Sequence, residues 1–282
     1  MDYSKFNEES FRVLRKKLLL FVGTTIFFLI LSIVLLIVLL TQTKCSQWDI
    51  IPSDSIIPVT NEIAVNNIIA EGSAAYYRRS ADVSKSVYYP IINFYDGKVT
   101  DTLQILPKFK TYQQSSPVSC GDASALMALR YLGINDITED ILYKEAATTE
   151  ERGTATIDLA KALIKLFDSK VKVEYKEDDA EISIDQFVEI VKECTNPKNN
   201  CVLLLESVEW GGHWMTLIGY DNMGTPDTAD DVLIFADPYD TTDHNQDGYY
   251  ITSLERYQAT WYDHNVLEKG HSVSQYVKIY KK

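Results

Sequence analysis

Cysteine and basic residues are both scarce in this 282-residue chain, and each scarcity excludes something. Four cysteines (Cys45, Cys120, Cys194, Cys201) are too few for a disulfide-scaffolded miniprotein, and none makes the paired C-x-x-C spacing of a zinc site. Lys and Arg number 27 against 40 Asp and Glu, a net charge of -13. Nucleic-acid binding needs a basic footprint, so no nucleic-acid partner is expected. The chain also lacks a G-x-S-x-G elbow, an H-E-x-x-H pair and a P-loop, and no cofactor is called for. No internal repeat is visible. A hydrophobic content of 46% with 24% charged residues is ordinary for globular proteins and excludes wholesale disorder, collagen and coiled-coil arrays.

Charge is missing altogether from residues 18–40, LLLFVGTTIFFLILSIVLLIVLL, a run of 23. At about 1.5 Å rise per residue such a helix spans a hydrocarbon core of roughly 30 Å. A cleaved signal peptide would have a shorter apolar stretch and small residues at its cleavage site; Thr41-Gln42-Thr43-Lys44-Cys45 follows instead. The expectation is a retained, single-pass membrane helix. Lys5, Arg12, Arg15, Lys16 and Lys17 precede it, whereas Lys44 stands alone just after it. Positive residues stay on the cytoplasmic side, so residues 1–17 are expected in the cytoplasm and the rest of the chain outside the cell. Cys45, just beyond the bilayer, is either inert or a link between two chains.

Residues 41–100 show no sustained periodicity and are rich in Ser, Asn and Asp, which reads as an extracellular stalk that becomes ordered where it meets the domain. From about Leu103 the pattern changes. Helical spacing runs through Ala123–Leu132 and stops at Gly133, a helix terminator; it returns at 138–147, 157–167 and 184–194. Strand patterns occupy 171–175, 201–207, 213–220, 232–236 and 276–280. Helices first and sequential strands afterwards favour an α+β fold with an antiparallel sheet over residues 101–282.

Chemistry concentrates in three places. Gln114-Ser115-Ser116-Pro117-Val118-Ser119-Cys120-Gly121 runs into the first helix of that region. A cysteine at a helix N-terminus sits at the positive end of the macrodipole, which favours thiolate, the reactive nucleophile. Gln114, six residues upstream, can join the Cys120 backbone N–H as a two-donor oxyanion hole. Gly211-Gly212-His213 opens a strand with a candidate base, and Asp237-Pro238 ends the next strand with a candidate orienting carboxylate. If those strands form a hairpin looped at 221–229, positions 213 and 237 fall opposite each other on one face, and a slip of two residues still leaves them neighbours. A carboxylate there fixes the imidazole tautomer and stabilises its protonated form. Taken singly, each element has a bland reading, an unpaired cysteine being more often a buried small hydrophobe.

On residues 112–133, 213–221 and 236–240 the chain resembles papain-like cysteine peptidases of the bacteriocin-leader-processing type and their secreted relatives. The resemblance implies a papain-like fold over residues 101–282, with the nucleophile's helix packed on the antiparallel sheet. It implies Cys120 as nucleophile, His213 as base, Asp237 as orienting group and Gln114 in the oxyanion hole. Two departures stand out: Asp122, where relatives often carry Pro or Ala, puts a negative charge beside the thiol, and the 221–231 loop is long. Leader processing takes place in the cytoplasm on a transporter-fused domain, so thiol peptidase chemistry is implied here and the double-glycine substrate is not.

Outside the membrane a disulfide between Cys194 and Cys201 is expected. Asp243-His244-Asn245-Gln246-Asp247-Gly248 opens like a calcium loop, but Leu254 stands where the closing Glu belongs, and an Asx-rich turn is the simpler reading. Trp210 and Trp214 flank the candidate base and line a groove or pack in the core. The functional expectation is a membrane-anchored extracellular cysteine peptidase acting on a peptide or protein substrate. The alternative is a catalytically silent papain-like module that binds a peptide or cell-wall partner.

Overall fold

The computed structural model describes residues 3–42, 61–63, 69–76, 92–241 and 246–282. The chain falls into two units, Met1–Gln47 and Trp48–Lys282. The first is helix α1 (Tyr3–Gln42), whose segment Phe11–Val34 has a mean hydropathy of 2.4 and is long and apolar enough to cross a membrane. Its few hydroxyls turn inward: Thr24 and Thr25 both donate to the Phe21 carbonyl and Ser32 donates to that of Phe28. Such back-bonding satisfies the polar groups a bilayer would leave without partners.

The second unit is built on an antiparallel sheet of seven strands: β2 (Leu103–Ile105), β4 (Val171–Tyr175), β5 (Cys201–Ser207), β6 (His213–Asp221), β7 (Val232–Ala236), β8 (Tyr249–Ser253) and β9 (Tyr276–Lys281). Their order is β4-β9-β5-β6-β7-β8, with β2 paired to the far end of β6. The C-terminal strand therefore does not close an edge; β9 is inserted between β4 and β5. A separate parallel pair joins β1 (Asn61–Ile63) to β3 (Thr111–Gln113).

Helices cover both faces of the sheet, which explains why β5 and β6 read as continuous apolar runs rather than alternating ones. Val202 and Leu204 point toward α2 (Cys120–Tyr131), α3 (Glu139–Glu145) and α4 (Thr156–Phe167). Leu203 and Leu205 point the other way, toward α5 (Ile184–Thr195) and α6 (Leu254–Thr260). There Phe187 packs on Trp261 at 4.3 Å and Phe235 stacks on Tyr257 at 4.9 Å. Helix α2 ends as its glycine dictates: Gly133 adopts φ +88, its N–H reaches the Arg130 carbonyl, and Ile134 N–H reaches that of Leu129. A reciprocal Ser183–Gln186 capping box starts α5. This is the expected α+β arrangement, with the cysteine's helix packed on an antiparallel sheet.

Two details refine the sequence reading. Thr216 pairs with Ala236 and the register shifts between Leu217 and Gly219, so position 237 does not oppose position 213. It lies two residues along, a diagonal neighbour on the same face, because the side-chain period of two survives a two-residue offset. Second, part of the segment read as stalk packs on the domain. Ser73, Ala74 and Ala75 are buried, Ala70 N–H donates to the Ser115 carbonyl and Ala75 N–H to that of Gln114. Phe94 also sits in the core cluster, with Ile92 packed against it. Cys45 lies outside the described residues.

A disulfide joins Cys194, near the end of α5, to Cys201, which opens β5, across a sequence separation of 7. Closing so short a loop stabilises by about 2–3 kcal/mol on the chain-entropy model. Replacing both with Ala should lower the melting temperature of the detergent-solubilised chain by roughly 5–10 °C. An unchanged melt, with both thiols alkylated before reduction, would remove the bridge.

Candidate active site

Four sequence-picked residues converge at one end of the sheet. Helix α2 is clipped to β6 by two reciprocal bonds, Ser124 Oγ to the Trp214 carbonyl at 3.1 Å and Thr216 Oγ1 to the Ser124 carbonyl at 3.1 Å. Ser124 is one turn beyond Cys120, so these bonds set how far the start of α2 stands from the start of β6. His213 Nε2 contacts Asp237 Oδ1 at 2.7 Å, both groups buried. With Nε2 committed to the carboxylate, Nδ1 is the nitrogen left to face the thiol, and the Cys120 side chain lies within hydrogen-bonding reach of the ring. Asp237 Oδ1 is further held by Tyr239 N–H at 2.7 Å.

The N-terminus of α2 is open. Ser119, its N-cap, makes no side-chain bond to the helix amides and instead donates to Glu139 Oε1 at 2.5 Å. The first intrahelical donor is Ala123, so the N–H groups before it keep their positive ends toward Cys120. Gly121 has a steric reason to follow the cysteine: a Cβ there would lie 2.7 Å from Thr154 Cβ, so glycine lets the 150–154 loop close against the helix start.

Gln114 lines the same cavity as Cys120 and His213. Its Nε2 donates one hydrogen to the Ser116 carbonyl at 2.8 Å, leaving the second free, and its backbone is held between Pro238 and Ala75. Sequence reading missed what holds these groups. Glu139 is buried and accepts from Tyr112 Oη, Ser115 N and Oγ, and Ser119 Oγ at 2.5–3.2 Å, fixing the loop from Gln114 to Cys120. Gln113 straps the loop after β7, its Nε2 on the Asp237 carbonyl at 2.9 Å and its Oε1 on Asp240 N–H at 3.1 Å. A glutamine beside a glutamine was the only signal for the second. Trp214 resolves to core and cavity wall at once, its Nε1–H on the Thr154 carbonyl at 2.9 Å; the Trp210 side chain lies outside the described residues.

A model described as the Peptidase_C39 like family matches residues 106–265, more than half of the chain and all of the site just described. The chain belongs to that family. Its domain is accordingly of cysteine-peptidase type. No curated protein matches the chain. Among solved structures it is similar to the crystal structure of UfSP from C.elegans, at 11% identity and a TM-score of 0.39. That match covers 66% of this chain and 35% of the other, so the chain spans about a third of that protein's length.

Neither departure from the family pattern disturbs the site. Asp122 turns away from the cavity and accepts from Thr148 Oγ1 at 2.9 Å and Thr154 Oγ1 at 3.3 Å. Burial raises its carboxyl from 3.8 to about 8, the threonine hydroxyls pulling the other way, so at neutral pH it is mostly protonated and adds little charge beside the thiol. The long loop follows Asp221, at the opposite end of β6 from His213, about 25 Å away by strand rise. Of the calcium-loop candidates, Asp243 and Asn245 lie outside the described residues, and Asp247 Oδ1 accepts from Tyr249 N–H in an Asx turn. Among the described residues no group of three or more potential ligands could hold a metal ion.

Burial disfavours the charged form of His213, but the Asp237 carboxylate and Cys120 outweigh it and raise the imidazole from 6.5 to about 10. A raised folded-state value gives stability that is fully present below the unfolded value near 6.5 and is lost as pH climbs through about 10. Thermal melts of the wild type and Asp237→Asn should therefore differ most at pH 6.5 and below and converge toward pH 10. An offset that stays constant across that window would show that the pair is not charged.

Proposed function

We propose that the protein is a membrane-anchored thiol hydrolase of peptide or amide bonds. The observation that carries this reading is the buried His213–Asp237 contact of 2.7 Å beside Cys120 at the open start of α2. Cys120 Sγ attacks the substrate carbonyl carbon. The developing oxyanion takes hydrogen bonds from the Cys120 N–H and the free Nε2 hydrogen of Gln114. Protonated His213 gives its Nδ1 proton to the leaving amine, then removes one from the water that hydrolyses the thioester. Asp237 keeps the ring oriented and offsets its charge. The inertness expected of a silent module finds no support in Asp122, whose charge is suppressed and directed elsewhere.

These roles predict an order among variants. Cys120→Ala should abolish turnover with the fold intact, and His213→Ala should be nearly as damaging. Asp237→Asn should retain more activity than either. Gln114→Ala should lower kcat by about 10²–10³ while leaving KM and the rate of Cys120 alkylation by iodoacetamide nearly unchanged. If Gln114→Ala slows alkylation as much as His213→Ala does, the glutamine is a structural residue and the oxyanion assignment fails.

The flanking charges of α1 support an orientation with residues 1–17 in the cytoplasm and the hydrolase outside. Protease shaving of intact cells should then remove a C-terminal tag and spare an N-terminal one. A protected C-terminal tag would reverse the orientation.

A further inference from the structure

The catalytic cavity has a second end that the triad does not use. Its volume is about 340 Å³, within the range of small-ligand sites. Besides Cys120 and His213 it is lined by Glu206, Asp263, Val266 and Leu267, the side chains of Asp263 and Val266 lying against Gly212, and by Glu150 and Glu151. Arg152 is the one Lys or Arg in the lining, and it is paired with Asp158 at 2.6 Å. Four carboxyl side chains thus meet an already neutralised guanidinium.

Glu206 makes this more than an acidic surface. It sits on β5 opposite Trp214 and is only 1% exposed, yet neither of its carboxyl oxygens receives a donor. Leaving such a group unmatched is costly, so a buried acceptor pair on a cavity wall calls for a donor from outside the chain. Asp263 stands beside it, placed by its Oδ1 accepting from Asn265 N–H at 2.9 Å and Val266 N–H at 3.1 Å. Its other oxygen occupies the space a Cβ on residue 212 would fill, so the second glycine of Gly211-Gly212-His213 makes room for this carboxylate. Burial, the negative charge of Asp263, a hydrogen bond to the Asp263 carboxyl and the negative charge of Cys120 raise Glu206 well above the ordinary glutamate value, so in the empty cavity the two acids share its proton. An arriving cation supplies the positive charge that this proton supplies when the cavity is empty.

We propose that Glu206 and Asp263 form a specificity pocket for a cationic side chain, the ammonium of lysine or the guanidinium of arginine, on the substrate segment next to the scissile bond. An ammonium brings three N–H donors and a guanidinium five, against Glu206 oxygens that receive none from the chain. The inference rests on Cys120 being the nucleophile of a peptide hydrolase, and it adds which peptides are accepted. Norleucine, the uncharged analogue of lysine, fills the same apolar walls and brings the Glu206 oxygens no donor, which is the discrimination that buried polar groups make best.

The test uses the full chain in detergent micelles and peptidyl chloromethyl ketones that differ only in carrying Lys, Arg, norleucine or Glu at one position. The rate at which Cys120 is labelled should be about 10- to 100-fold higher for the Lys and Arg reagents than for norleucine at one position of the peptide, and lowest for Glu. Glu206→Gln and Asp263→Asn should each bring the Lys-to-norleucine ratio close to 1. Equal labelling by Lys and norleucine in the wild type at every position would overturn the pocket, and so would a ratio that survives both substitutions. The wild-type ratio decides even if a variant does not fold. Failure of the underlying hydrolase reading looks different: no reagent, and not iodoacetamide, would label Cys120. The pocket is then read without chemistry, by fluorescence anisotropy of labelled Lys and norleucine peptides on Cys120→Ala. At least tenfold tighter binding of the Lys peptide supports the pocket, and equal binding overturns it.

Discussion

The geometry of the candidate site depends on one buried carboxylate that takes no part in its chemistry. Glu139, at the first turn of α3, gathers Tyr112, Ser115 and Ser119 around itself. Those bonds determine the path of the chain between Gln114 and Cys120, and so the distance between the two candidate oxyanion donors. They also draw the Ser119 hydroxyl away from the helix it would otherwise cap, which leaves the positive end of α2 facing the cavity. A single acidic side chain thereby couples the order of a loop to the electrostatics of a helix terminus. A charge so placed is tolerated because four groups donate to it, where an unmatched one would be severely destabilising.

The same logic of convergent donors explains which parts of the site could be read in the sequence. Cys120, His213 and Asp237 stand at element boundaries, where periodicity stops and special residues show: a Cys-Gly at a helix start, a Gly-Gly-His at a strand start, an Asp-Pro at a strand end. Their mutual approach needed only the two-residue period of strands, which is why the bulge at Leu217–Gly219 moved the register without separating His213 from Asp237. Glu139, Gln113, Glu206 and Asp263 have no such local mark. Glu139 looks like an exposed first-turn acid, and Glu206 like the polar end of an apolar strand. Their burial comes from elements far apart in the chain, α3 against β3 and β5 against the 263–267 loop, and no window of sequence contains both sides.

Residues 69–76 illustrate the limit from the other direction. Their attachment is made almost wholly by backbone: Ala70 and Ala75 N–H on the carbonyls of Ser115 and Gln114, and Tyr239 Oη on the Gly72 carbonyl at 2.9 Å. Backbone bonds carry no side-chain pattern, so a Ser- and Ala-rich stretch read as part of a stalk is in fact a brace across the loops that present Gln114 and Asp237. Residues 69–76 therefore belong to the second unit and form part of the domain that carries the site.

Two buried carboxyls near the cavity show how the chain distributes its excess of acid. Asp122 and Glu206 are both raised chiefly by burial, yet their surroundings differ. Asp122 Oδ2 accepts from the hydroxyls of Thr148 and Thr154, and this acid is not part of the cavity lining, although its Oδ1 has no donor. Glu206 has no donor and faces the cavity, beside a second carboxyl placed by its own turn. Desolvation is common to both and cannot by itself distinguish a structural acid from a recognition one. The supply of donors can: where the fold provides them the acid is part of the scaffold, and where it withholds them on a cavity wall the missing partner is the ligand. On that criterion the acids near the nucleophile are locally organised: Asp122 is bonded to threonine hydroxyls outside the cavity lining, and Glu206 lines the cavity with no donor from the chain.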